Sequence, residues 1–148
     1  MRQAPAAPAA KRVCATSPAP CGGAAPGERG QRARRAQARG VAAEAAACAA
    51  LQHDGWTVLA RRRRTAAGEI DVVAERHGTL AIVEVKARPR LADAAAALSP
   101  RQQARLLAAA EIILAEHPEW GPAGVRFDLL LVDAAGRVRR IIDAFRQA

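Results

Sequence analysis

Tyrosine is absent from the chain, and two tryptophans and two phenylalanines are its only aromatic side chains. Proteins that hold single strands by stacking bases need more exposed rings than that, so RRM and OB-fold readings are disfavoured. The three cysteines, Cys14, Cys21 and Cys48, are odd in number and lack metal spacing. They are expected to be reduced thiols in a cytoplasmic protein. No apolar run approaches the roughly 18 residues of a membrane span. No P-loop, dinucleotide fingerprint or nucleophile elbow occurs. His53, His77 and His117 stand apart at element ends and turns, as surface residues do.

Lysine is nearly missing too. Of 23 basic residues only Lys11 and Lys86 are lysine. Arginine is effectively always protonated, whereas lysine is a compact charge whose pKa shifts on burial. A lysine kept among so much arginine therefore hints at chemistry. The net charge of +9 is uneven. Residues 1–40 carry eight basic side chains against Glu28 alone, or +7, and residues 41–148 carry fifteen against thirteen, or +2. Such a tail favours polyanions.

The 148 residues suit one domain. Residues 1–31 read as a disordered, basic extension rich in Ala and Pro, and 32–148 as the folded domain. A helix is expected from about Arg32 to Asp54, with Ala42, Ala45, Ala46, Ala49 and Leu51 as its apolar face. "WTVLARRRR" begins as a strand. "EIDVVAE" and "TLAIVEVKA" form a hairpin about "RHG", and "LADAAAAL" is a linker or short helix. Ser99-Pro100 starts a second helix running to about His117, with Leu106, Leu107, Ala110, Ile113 and Leu114 inward. Two strands around Gly136 close the chain. The order α-β-β-β-α-β-β predicts an α/β sandwich: a mixed sheet of about five strands flanked by helices. The strands on either side of the second helix should run parallel.

Charges interrupt the central hairpin. Strand alternation puts Glu84 and Lys86 on one face, with alpha carbons roughly 6.5–7 Å apart, and Glu69, Asp71 and Val73 on one face of the partner strand. Two readings are open. These can be solvent-facing charges on an amphipathic hairpin. Alternatively the carboxylates converge, which repulsion and desolvation oppose unless a hard divalent cation joins them. The second arrangement, with a lysine beside it, suits metal-assisted phosphodiester hydrolysis.

The ordered set "RRAQARGVAAEAAACAAL", "GW", "GEIDVVA", "VEVKAR", "LSPRQQARL" and "RFDLLLVD" resembles the YraN family. That family lies within the PD-(D/E)xK nuclease superfamily and is related to Holliday-junction resolvases. The resemblance covers about residues 32–148 and implies a restriction-endonuclease-like fold. It also implies roles: Asp71 and Glu84 as ligands of Mg²⁺ or Mn²⁺, Lys86 as the catalytic lysine, the Val85 carbonyl in the metal shell, and Glu44 as a supporting acid. Glu69 is a ligand, an outer partner of the site or an arginine's partner. One departure stands out: such proteins commonly carry asparagine where this chain has Arg62.

The activity so implied is a metal-dependent endonuclease acting on nucleic acid, with DNA in recombination or repair as the expected substrate. Arg61, Arg62 and Arg64 beside the site, with Arg88, Arg101 and Arg105, are candidate phosphate contacts. The rival is a non-catalytic nucleic-acid-binding protein that keeps the fold. A third reading is a scaffold recruiting a helicase or repair factor. A homodimer is a further expectation, since related resolvases are dimers; a membrane is not an expected partner.

Overall fold

A computed structural model describes residues 26–91 and 98–146. Its elements are α1 (Pro26–His53), β1 (Thr57–Thr65), β2 (Gly68–Arg76), β3 (Thr79–Ala87), α2 (Pro100–Glu116), β4 (Gly124–Val132) and β5 (Val138–Phe145). The expected element order is observed. The first helix starts at Pro26, so residues 26–31 are helical where the extension was expected to continue. Residues 1–25, which hold Cys14 and Cys21, and the linker residues 92–97 lie outside the described residues. No helix among the described residues is long and apolar enough to cross a membrane.

The five strands form one sheet in the order β1-β2-β3-β4-β5. Neighbours run antiparallel except β3 and β4, which are parallel and connected through α2. The β2–β3 hairpin turns through His77 and Gly78, both at positive φ (50° and 74°). That pair of conformations is what a two-residue turn matching the twist of a hairpin requires.

Each helix covers one face. α2 is entered through a capping box in which Ser99 accepts from the Gln102 N–H and the Gln102 side chain accepts from the Ser99 N–H. Its Leu106, Ala109, Ala110 and Ile113 pack on Ile70, Val73, Leu80, Ile82, Leu129 and Leu131. Complete burial of a side chain such as Leu106 or Ile113 is worth about 1.5–3 kcal/mol. α1 covers the opposite face through Ala43, Ala47, Cys48 and Leu51, against Val72, Ala74, Ala81, Val83, Leu130 and Val132. The expected face of α1 is therefore corrected: Ala42, Ala45 and Ala49 are exposed and Ala46 is only half-buried. With alanine at seven of the nine positions 42–50, periodicity carries little information about which side is inward. Small side chains are what let this helix lie close to the sheet.

Beneath the end of α1 sits a buried ionic knot. The Asp128 carboxylate accepts from Arg140 Nε at 2.8 Å and from the Asp143 backbone N–H at 3.0 Å, and pairs with Arg126 at 3.2 Å. The guanidinium groups of Arg126 and Arg140 lie over the Trp56 ring, 4.6 Å and 4.4 Å from its centroid, a favourable cation–π placement. The knot ties α1's exit to β4 and β5. Removing the acid strands two partly buried cations, so Asp128→Ala should lower unfolding free energy by about 3–5 kcal/mol, measured by urea denaturation.

Candidate functional site

The sheet splits at its centre. β2 and β3 pair from Arg76↔Thr79 to Val72↔Val83 and no further. Beyond that point β2 continues against β1 as far as Gly68, while β3 continues against β4 as far as Ala87. The next opposed residues would be Asp71 and Glu84. In place of a ladder bond, Asp71 Oδ2 accepts the Val85 N–H at 2.7 Å. A carboxylate thus fills the place of a backbone carbonyl and wedges the fork open.

The backbone around Asp71 accommodates this. The β1–β2 register skips the Arg62/Asp71 pair, and Arg62 lies at φ 48°. Side-chain alternation breaks at the same point: Ile70 packs with Val73 on the α2 side, while Val72 and Ala74 face α1. Glu69, Asp71 and Val73 accordingly do not share a face as strict alternation predicts. The left-handed conformation at position 62 favours asparagine over most residues. It gives a backbone reason for the asparagine that the YraN resemblance leads one to expect there. Arg62 adopts the same conformation and adds a charge.

Every acid at the fork has a partner. Glu84 is buried; its two oxygens take Lys86 Nζ at 3.0 Å and Arg105 at 3.1 Å. Arg105 also donates to the Glu69 carbonyl, and it passes directly over Gly68. A Cβ built there would lie 2.9 Å from Arg105 Cδ, and Gly68 sits at φ 141°. The glycine of "GEID" is thus needed both for its backbone and for the arginine that crosses it. Glu69 accepts from Arg64 at 3.1 Å and from Arg62 at 3.3 Å, and these bonds hold its carboxyl below the usual range. Glu44, from α1, lies 3.8 Å from Arg62. Asp71 differs: burial, with the Glu84 and Glu44 charges adding to it, pushes its pKa up to about 6.

The candidates therefore divide. Asp71, Glu84 and Lys86 meet at the fork, with Glu44 near enough to be felt by Asp71. Glu69 stands one step out as an arginine partner. Val85 meets the site through its N–H, whereas the expected contribution was its carbonyl. Arg62, Arg64 and Arg105 are engaged with carboxylates, while Arg61 and Arg101 are exposed and Arg88 is half-buried. Sequence reasoning missed the role of Gly68 and the contact of Arg105 with Glu84; α2's docking creates the latter, and no local spacing signals it.

Residues 43–132 match the family described as Uncharacterised protein family UPF0102. A UPF0102 protein of Granulibacter bethesdensis is 60% identical over 115 residues, spanning 78% of this chain and 73% of that one. UPF0102 proteins of Azorhizobium caulinodans and Acidiphilium cryptum are 47% and 49% identical, each covered over 88% of its length. The chain belongs to the UPF0102 family, the YraN family. The match spans the first helix's buried turn, the fork and β4, so every acid of the candidate site lies within the UPF0102 region.

Whether this UPF0102 site suits a divalent cation can be judged from its donors. Asp71 and Glu84 offer hard carboxylate oxygens, and the raised Asp71 pKa reflects burial first, with the nearby Glu84 and Glu44 charges adding a repulsion that a cation would relieve. No group of three acidic, histidine or cysteine side chains stands ready to hold an ion among the described residues. Mg²⁺ asks for less, keeping several waters and taking one or two carboxylates. The residues fit on those terms, once Glu84 exchanges one of its cationic partners.

The folded Asp71 pKa of about 6 exceeds its ordinary value of 3.8, so the native state binds the extra proton between those values. Stability contributed by protonated Asp71 is then present at about pH 4 and lost as pH rises through about 6. Asp71→Asn keeps an acceptor for the Val85 N–H without the charge. Its stability advantage in EDTA should grow across that window to on the order of 1–2 kcal/mol, after discounting for partial exposure, as read by denaturation at successive pH values. Gly68→Ala should cost about 1–3 kcal/mol through positive-φ strain and displace Arg105, visible as a changed guanidinium resonance in NMR.

Proposed function

We propose that the protein is a metal-dependent endonuclease that hydrolyses nucleic-acid phosphodiesters, with DNA as its substrate. The observation that carries this reading is the fork: two carboxylates on diverging central strands, 13 residues apart in sequence, with the chain's only folded-domain lysine beside them. A Mg²⁺ or Mn²⁺ ion at Asp71 and Glu84 would polarise the scissile phosphate and lower the pKa of an attacking water.

The chain's own groups do the rest. Asp71 is oriented by the Val85 N–H, so its second oxygen is aimed without cost at the moment of reaction. Lys86, three-quarters buried and held at 3.0 Å by Glu84, presents a fixed ammonium to a phosphate oxygen or to the nucleophile. Arg105 neutralises Glu84 from the other side and keeps its carboxylate in one rotamer. Arg62 balances Glu44 and Glu69, limiting repulsion of an incoming polyanion. A binding-only reading is favoured by one observation, that both Glu84 oxygens already have protein cations as partners.

Cleavage of labelled single-stranded, duplex, flap and four-way-junction DNA with Mg²⁺, Mn²⁺ or EDTA separates the two. Wild type should cut at least one substrate in a metal-dependent way, and Asp71→Ala and Lys86→Ala should each lose at least about 100-fold in rate. Binding without cutting, equal in all three proteins, would sink the enzymatic reading.

A further inference from the structure

The basic run on β1 was the expected phosphate-binding surface, yet most of its charge is spent within the protein. Arg62 and Arg64 pair with Glu69, and Arg63 pairs with Glu116. Unspent positive charge is concentrated elsewhere. α1 is 28 residues long, but its buried contacts begin only at Ala43. Residues 27–39 are exposed at every position. This leading part of the helix overhangs the sheet by roughly 20 Å. It carries Arg29, Arg32, Arg34, Arg35 and Arg39 against Glu28, and none of the five arginines makes an ion pair among the described residues.

The arrangement along the helix is directional. Arg32, Arg35 and Arg39 recur at helical spacing on one stripe. Ala36, Gly40 and Ala43 sit beside that stripe and line a groove of about 720 Å³ against the ends of β3 and β4. Arg39 and Arg88 stand on opposite walls of this groove. Its acid, Asp133, is occupied by Arg137 at 2.7 Å and by two backbone N–H groups. Ala87 follows Lys86 in β3 and, by strand alternation, faces α1 with Val83 and Val85, so the groove opens on the sheet face opposite the Glu84–Lys86 pair.

We infer that the overhanging half of α1, with Arg88 across the groove, is a helical arm that grips the phosphate backbone of double-stranded DNA. About 20 Å of helix equals the axial rise of roughly six base pairs at 3.4 Å each, long enough to meet several phosphates of one strand. Alanine and glycine beneath the arginines leave room for a backbone to approach. Phosphate contacts of this kind position a duplex without reading its sequence. The inference rests on the proposed function only for the idea that the bound duplex is the substrate; binding itself is independent of cleavage.

The test is anisotropy of a short labelled DNA duplex with the full chain in EDTA, over a series of salt concentrations. R32Q/R35Q/R39Q is compared with a charge-matched control, R76Q/R139Q/R146Q, and with D71N. Glutamine keeps helix propensity close to that of arginine, and unchanged circular dichroism verifies the fold. The arm variant should lose at least about tenfold in affinity, and its slope of log K against log salt should fall by roughly two to three. Adding R88Q should lower both further. The control and D71N should keep the wild-type slope. Equal slopes for the arm variant and the control would overturn the inference. So would an arm variant that binds duplex normally but loses its hold on anionic vesicles or its self-association in sedimentation. Loss of cleavage in D71N with duplex binding retained supports the arm. Failure to cleave by wild type, with arm-dependent binding intact, would count against the nuclease reading alone.

Discussion

A single hydrogen bond, from the Val85 N–H to Asp71 Oδ2 at 2.7 Å, marks where the protein stops being an ordinary sheet. It takes the place of the next rung in the β2–β3 ladder, so the central strands part while their outer partners stay paired. A buried backbone N–H needs an acceptor, and here a side chain supplies it. The exchange costs a carboxylate held in partial burial, and the raised pKa of Asp71 registers that cost. The left-handed Arg62 and the switch of side-chain face between Ile70 and Val72 are the local adjustments that accommodate the wedge.

Around this wedge the charges form a closed network. Lys86 and Arg105 share Glu84, while Arg62 and Arg64 share Glu69, and Arg62 reaches Glu44. Such a network holds acids close together in a partly dry place, where bare carboxylates would repel. It also leaves the site able to exchange one cation for another. The contrast with the knot at Asp128 is instructive. There the carboxylate is fully buried beneath a tryptophan and two arginines, and its work is to hold β4, β5 and the end of α1 together.

Much of the fold could be read from the chain. The Ser99 cap, the His77-Gly78 turn, the alternating hairpin and the parallel β3–β4 pair all rest on local chemistry that survives tertiary packing. The start of α1 and its inward face could not, because arginine and alanine both favour helix and a run of alanine has no strong polar side. For the candidate site, "GEID" and "EVK" drew attention to Asp71, Glu84 and Lys86, since charges at strand centres demand a reason. Solvent-facing and converging arrangements were both open, and the structure brings the three together at the fork. The same stretch could not say that alternation breaks at Asp71, which depends on β1 lying alongside.

The sequence by itself determined which charges interrupt the central strands and the order of the elements that bear them, because helix caps, turns and strand alternation act over a few residues. Tertiary structure alone decided which charges are free. Arg105 and Glu84 are 21 residues apart in the chain, and only the docking of α2 over Gly68 brings them to 3.1 Å. In the same way, the pairing of the β1 arginines with Glu69 and Glu116 leaves the unspent positive charge on α1 and at its groove. Ion pairing is a matter of distance in space, and no count along the chain records it.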